Sequence, residues 1–170
     1  MIKYVFAIAV LTTTMAFAKT DPATVDINKE VRHELVMLPY LDVFDNLAYR
    51  VDGNVVTLTG QVTRPTLKGD AERVVMRIAG VDKVDNQIEV LPLSGHDDHL
   101  RRSLFKAIYG FPSMNRYALP VIKPIRIIVK NGNVTLEGVV DNQGDKDVAY
   151  IRARGVHGAF SLTNNLRIGE

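Results

Sequence analysis

The stretch Val51-Asp52-Gly53-Asn54-Val55-Val56-Thr57-Leu58-Thr59-Gly60-Gln61-Val62 reads as a strand arriving, a tight turn, and a strand leaving toward a glycine. The stretch Val129-Lys130-Asn131-Gly132-Asn133-Val134-Thr135-Leu136-Glu137-Gly138-Val139-Val140 repeats that pattern 78 positions later. The offset runs without a gap from Val51/Val129 to Val90/Ile168. Identical pairs along it include Val56/Val134, Leu58/Leu136, Gly60/Gly138, Ala71/Ala149, Gly80/Gly158 and Asn86/Asn164. The chain is therefore an internal duplication, and each copy is one folding unit.

Working outward through copy one, Asp26 is placed to cap a helix whose apolar positions are Ile27, Val31, Leu35 and Leu38, with Pro39 to end it. Leu47, Tyr49 and Val51 alternate with polar or small residues as a half-buried strand does. Gly53 forms the hairpin turn, and Leu58 shares the inner face of the next strand with Val56 and Gly60. A second helix starts near Pro65 and buries Leu67, Ala71, Val74, Val75 and Ile78. Val81, Val84, Ile88 and Val90 make the last strand. Residues 26–91 thus read as helix, strand, strand, helix, strand. After a linker over 92–97, residues 98–168 give the same order, with Asp98 as the opening residue and Leu100, Leu104 and Ile108 as the stripe. Gly132 and Leu136 take the places of the turn glycine and the inner leucine, and Gly138 that of Gly60. Copy two carries nine extra residues before its first strand. They fall within about 111–124, where Pro112, Pro120 and Pro124 predict an ordered, non-helical loop.

This unit resembles the BON domain, the bacterial domain of osmotically inducible and nodulation proteins. The residues that carry the likeness are the Gly-Asn-Val-Val-Thr-Leu-Thr-Gly hairpin at 53–60, the alanine-bearing helix after it, and the closing Gly-Val-Asp-Lys-Val-Asp-Asn-Gln-Ile-Glu-Val at 80–90. Copy two is similar at Ile125 to Gly132 and at Leu162 to Leu166. The resemblance implies an α+β fold. Each of two tandem αββαβ domains would be a small mixed three-stranded sheet with two helices on one face. It further implies a non-enzymatic exported module, associated with phospholipid surfaces, envelope integrity and osmotic or envelope stress. The chain differs from lipid-anchored relatives in having no cysteine.

Residues 1–18 read as a secretory signal peptide: an early lysine, a short apolar run from Tyr4 to Leu11, and an Ala-x-Ala ending at Ala18. Residues 19–25 are a polar lead. The signal places the mature chain in the periplasm, and no later stretch is apolar enough to span a bilayer. Without cysteine the fold has no disulfide or thiolate metal site and must be held by its core alone. Copies this small bury a modest share of their surface, so the two are expected to pack on each other.

The formal net charge is only +2, but it is unevenly spread. Residues 20–98 carry fourteen acids and eight bases, whereas residues 99–170 carry eleven bases and five acids. No acid lies between His99 and Leu136, a stretch holding Arg101, Arg102, Lys106, Arg116, Lys123, Arg126 and Lys130. Such asymmetry points to an anionic partner for copy two, or to copy one as that partner.

Catalytic signals are weak. His96-Asp97-Asp98-His99 has metal-ligand residue types but reads as a helix cap, and the serines lie in no nucleophile elbow. Gly53 and Gly132 belong to hairpins rather than phosphate loops, because a strand follows each. No enzyme activity, metal or cofactor is expected. With Leu100, Leu104 and Ile108 inward, a helical wheel turns Arg102, Phe105, Lys106 and Tyr109 outward. Rings beside cations suit an anionic membrane boundary, and equally a contact with copy one or the proline loop. The candidate membrane or anion-binding residues are accordingly Arg101, Arg102, Phe105, Lys106, Tyr109, Arg116 and Lys123. Partners are expected to be an anionic phospholipid surface or, alternatively, an envelope protein docking on a scaffold module. Export disfavours nucleic acid.

Overall fold

The computed structural model describes residues 26–169, so the expected signal peptide and polar lead lie outside the described residues. Copy one begins with α1 (Ile27–Val36), capped by the Asp26 carboxylate, which accepts from the amides of Asn28 and Lys29. Then β1 (Asn46–Asp52) and β2 (Val55–Val62) form an antiparallel hairpin, and α2 (Pro65–Met76) starts on its proline. The chain returns parallel to β2 as β3 (Lys83–Asn86) and β4 (Glu89–Val90). Copy two repeats this with α3 (Gly95–Tyr109), β5 (Ile125–Lys130), β6 (Asn133–Val140), α4 (Gln143–Arg154), β7 (Ser161–Asn164) and β8 (Arg167–Ile168). The fold is α+β, two αββαβ units in tandem, as the duplication implied.

Four features depart from the sequence reading. The last strand of each copy is split in two. The repeated asparagine explains the break: Asn86 turns its carbonyl oxygen back to the Ile88 amide and donates to the Lys68 carbonyl, while Asn164 does the same with Leu166 and Lys146. Second, α3 begins at Gly95, inside the expected linker, because Ser94 caps it by accepting from the Asp97 amide. Third, α4, whose sequence reading is a helix around Asp145–Val156, begins at Gln143, capped by Asn142. Fourth, the proline-rich insert is not wholly non-helical, since Pro112–Ala118 is a 3₁₀ helix.

Each copy has its own core, with the two leucines of the repeat, Leu58 and Leu136, fully buried. Gly60 and Gly138 lie where the hairpin partner's backbone passes closely. Their φ values are +114° and +118°, and a Cβ on either would strike the carbonyl of Asn46 or Pro124. The turn glycines Gly53 and Gly132 also take positive φ, +59° and +76°.

The copies are joined by residues 42–44 of copy one. The Ile127 amide donates to the Val43 carbonyl at 2.9 Å, so this segment pairs with the outer edge of β5. The Val43 side chain is buried in the core of copy two. Beside it Arg126 donates to the Asp42 carbonyl at 2.8 Å, and Lys130 pairs with Glu89 at 2.5 Å. Leu91 and Ile128, buried but outside both cores, line one crevice of this junction.

Candidate anion-binding surface

The face of α3 that meets copy one is set by its inward stripe. Leu100, Leu104 and Ile108 are buried, which leaves Arg102 and Lys106 exposed one helical turn apart. Among the described residues neither makes an ion pair or side-chain hydrogen bond. Phe105 lies between them and is half-buried. Its ring meets Phe44 of copy one edge-on at 6.4 Å and tilts against Tyr109 at 4.9 Å.

Phe105, Asp42 and Val43 are shared by two neighbouring hollows along the junction. One, of about 380 Å³, is also lined by Phe44, Arg102 and Lys106. The other, of about 370 Å³, is also lined by Met37, Val121, Ile122, Lys123 and Arg126 among others. The two hollows together carry four cations and one carboxylate, Asp42, which accepts from the Val43 amide at 2.6 Å. Lys123 donates to the Pro120 carbonyl at 2.6 Å. Burial lowers the Arg126 guanidinium from its ordinary value, with Tyr109, Asp45 and Asp42 opposing it. The arrangement can hold an anionic group against an apolar floor.

Three of the seven candidate residues lie elsewhere. Arg101 is buried: it pairs with Asp98 at 2.6 Å, donates to the Val129 carbonyl at 2.7 Å, and so ties α3 to β5 rather than facing a ligand. Tyr109 points inward, its hydroxyl donating to the Ile125 carbonyl at 2.6 Å, and burial pushes its ionisation well above the usual tyrosine range. Arg116 is committed to Asp141 at 2.9 Å and to Asp145. The inter-repeat contact weighed for these rings is present for Phe105, through Phe44, while Tyr109 is buried in the core of copy two. Arg102, Phe105 and Lys106 do come together in one hollow, and Lys123 lines the neighbouring one that shares Phe105.

Sequence reasoning missed Met37, Phe44, Val121 and Arg126. Arg126 belonged to the acid-free run, which was its only signal. The apolar residues are brought together by the junction, which no local periodicity records.

His96, Asp97 and Asp98, in the stretch read as a helix cap, are held in structural contacts. Asp97 is fully buried and accepts from the Asn131 and Gly132 amides, both at 2.8 Å, so it caps the β5–β6 turn. Asp98 is taken by Arg101, and His96 bonds the Gly158 carbonyl at 3.0 Å beside Phe160. Among the described residues no helix is long and apolar enough to cross a membrane.

The model of one protein family, the BON domain, matches residues 23–92 and 115–170. The second match begins inside the insert and leaves α3 outside it. Comparison with curated proteins returns no match. Among solved structures, the C-terminal domain of CdsD, a structural protein of the type III secretion system of Chlamydia trachomatis, is 13% identical, with a TM-score of 0.32 over 86% of this chain and 98% of that one. A second CdsD structure gives 13% identity and a TM-score of 0.30 over 86% and 94%.

Proposed function

The chain belongs to the BON-domain family and carries the domain in two copies, and on that premise we propose a non-enzymatic module of the periplasmic cell envelope that binds an anionic phospholipid surface through copy two. The observation that carries this reading is the pair Arg102 and Lys106, exposed and unpaired among the described residues, on either side of Phe105. A cation near an anionic membrane contributes on the order of 1 kcal/mol, and several act together. With Lys123 and Arg126 on the neighbouring hollow, attraction is reversible and weakens as salt screens it. The apolar floor supports shallow contact beneath the headgroups. Groups that elsewhere perform catalysis, Asp97, Asp98 and His96, are occupied by caps and pairs.

Cosedimentation tests this. The chain should pellet with phosphatidylglycerol-containing vesicles, less so as salt rises, and stay in solution with pure phosphatidylcholine. Equal behaviour on both would remove the anionic surface as ligand and leave a protein-docking scaffold as the function.

A further inference from the structure

We infer that the insert of copy two is a preformed apolar wedge, whose residues Leu119 and Val121 enter the same anionic bilayer that Arg102 and Lys106 contact. This rests on the membrane reading above and adds to it an element outside α3.

The insert divides into an anchored part and a bare part. In the anchored part, Met114 and Tyr117 are buried in the core of copy two. The Tyr117 hydroxyl donates to Asp145 at 2.7 Å and accepts from the Asp141 amide at 2.8 Å, while Arg116 pairs with Asp141 and Asp145. Copy one has nothing for this clamp to hold, and at the position of Asp145 it has the core leucine Leu67. The clamp is therefore specific to the insert.

Beyond it the chain emerges with Leu119 83% exposed and Val121 97% exposed. These residues add nothing to the core, and large apolar side chains bared together on a fixed loop mark a contact surface. Pro120 and the bond from Lys123 to its carbonyl restrict the tip. A wedge that is already ordered loses little conformational freedom on insertion.

Charge identifies what covers it. Val121 lines one hollow with Lys123 and Arg126, and the neighbouring hollow, which shares Phe105, carries Arg102 and Lys106. Met37, 66% exposed, lines the first from copy one. An apolar tip bordered by cations matches acyl chains below anionic headgroups, at the depth an interfacial element reaches.

The chain has no cysteine, so Val121→Cys offers one attachment point for a polarity-sensitive fluorophore. Phe160→Cys is the comparison site: it is 80% exposed, beside the Gly132 turn, at the other end of the β5–β6 hairpin from the insert. With phosphatidylglycerol-containing vesicles, the label at 121 should shift to the blue and that at 160 should not. Leu119→Ser with Val121→Ser should melt like the parent and bind those vesicles roughly 10- to 100-fold more weakly. Binding without a shift at 121, or with an equal shift at 160, overturns the wedge and leaves the Arg102 and Lys106 contact standing. No binding of the parent overturns both.

Discussion

Asp145→Ala probes the clamp that fixes the insert. Its side chain is 9% exposed and receives the Tyr117 hydroxyl at 2.7 Å, the Asn142 amide at 2.8 Å and the Arg116 guanidinium. Arg116 is open to water, so its share is set aside. The Tyr117 hydroxyl, in a residue 5% exposed, would lose its acceptor, which costs about 1–3 kcal/mol. Loss of a negative charge in the first turn of α4 adds about 0.3–1 kcal/mol. Together these come to roughly 1–4 kcal/mol. Two assays read it: denaturant unfolding, and limited trypsin digestion at Arg116, which the clamp holds. Asp145→Asn keeps a carbonyl acceptor for Tyr117 and should keep most of the stability. If Asp145→Ala unfolds within about 0.5 kcal/mol of the parent and its insert is cut no faster, the clamp is not what orders the loop.

Leu58→Ala and Leu136→Ala should each destabilise by about 2–4 kcal/mol in denaturant melts, since both side chains are fully enclosed. Gly60→Ala and Gly138→Ala should both be destabilising, because each Cβ meets a backbone carbonyl at positive φ; a neutral melt at either would refute that close approach. Tyr109 stays protonated in the folded chain at pH values where an unfolded tyrosine, near pH 10, has lost its proton. The unfolded state then binds fewer protons, so stability should fall as pH rises through about 10, and Tyr109→Phe should flatten that fall in alkaline melts.

Much of the fold was legible because the sequence states it twice. The 78-residue offset fixed strand faces, hairpins and glycines in both copies, and Leu58 and Leu136 are buried as that register requires. The breaks in the last strands went unread although Asn86/Asn164 was seen to repeat, because the bond that holds each side chain in place, to the Lys68 or Lys146 carbonyl on the helix, comes from 18 residues away. The start of α3 was misplaced because Asp97 looks like a cap, yet its carboxylate serves a turn 34 residues away. The site was legible only in part. A helical wheel separates one inward stripe from everything else, but α3 is covered twice, by its own sheet and by residues 42–44 with the insert. That second cover turns Tyr109 inward and half-covers Phe105. Arg101 was read as surface because it is charged; its burial is allowed by Asp98 and the Val129 carbonyl.

The most direct test reverses charge at the hollow beside Phe105. Arg102→Glu with Lys106→Glu removes two attractive charges and adds two repulsive ones. At about 1 kcal/mol each this comes to roughly 4 kcal/mol at low salt, or about a thousandfold in affinity. Neither residue touches the Leu100, Leu104 and Ile108 side of α3, so the variant should fold, losing only about 0.3–1 kcal/mol, which the Lys106 charge supplies in the last turn of α3. In low salt, the parent should bind phosphatidylglycerol-containing vesicles and the folded double variant should not. A double variant that binds those vesicles as the parent does would contradict membrane contact through copy two.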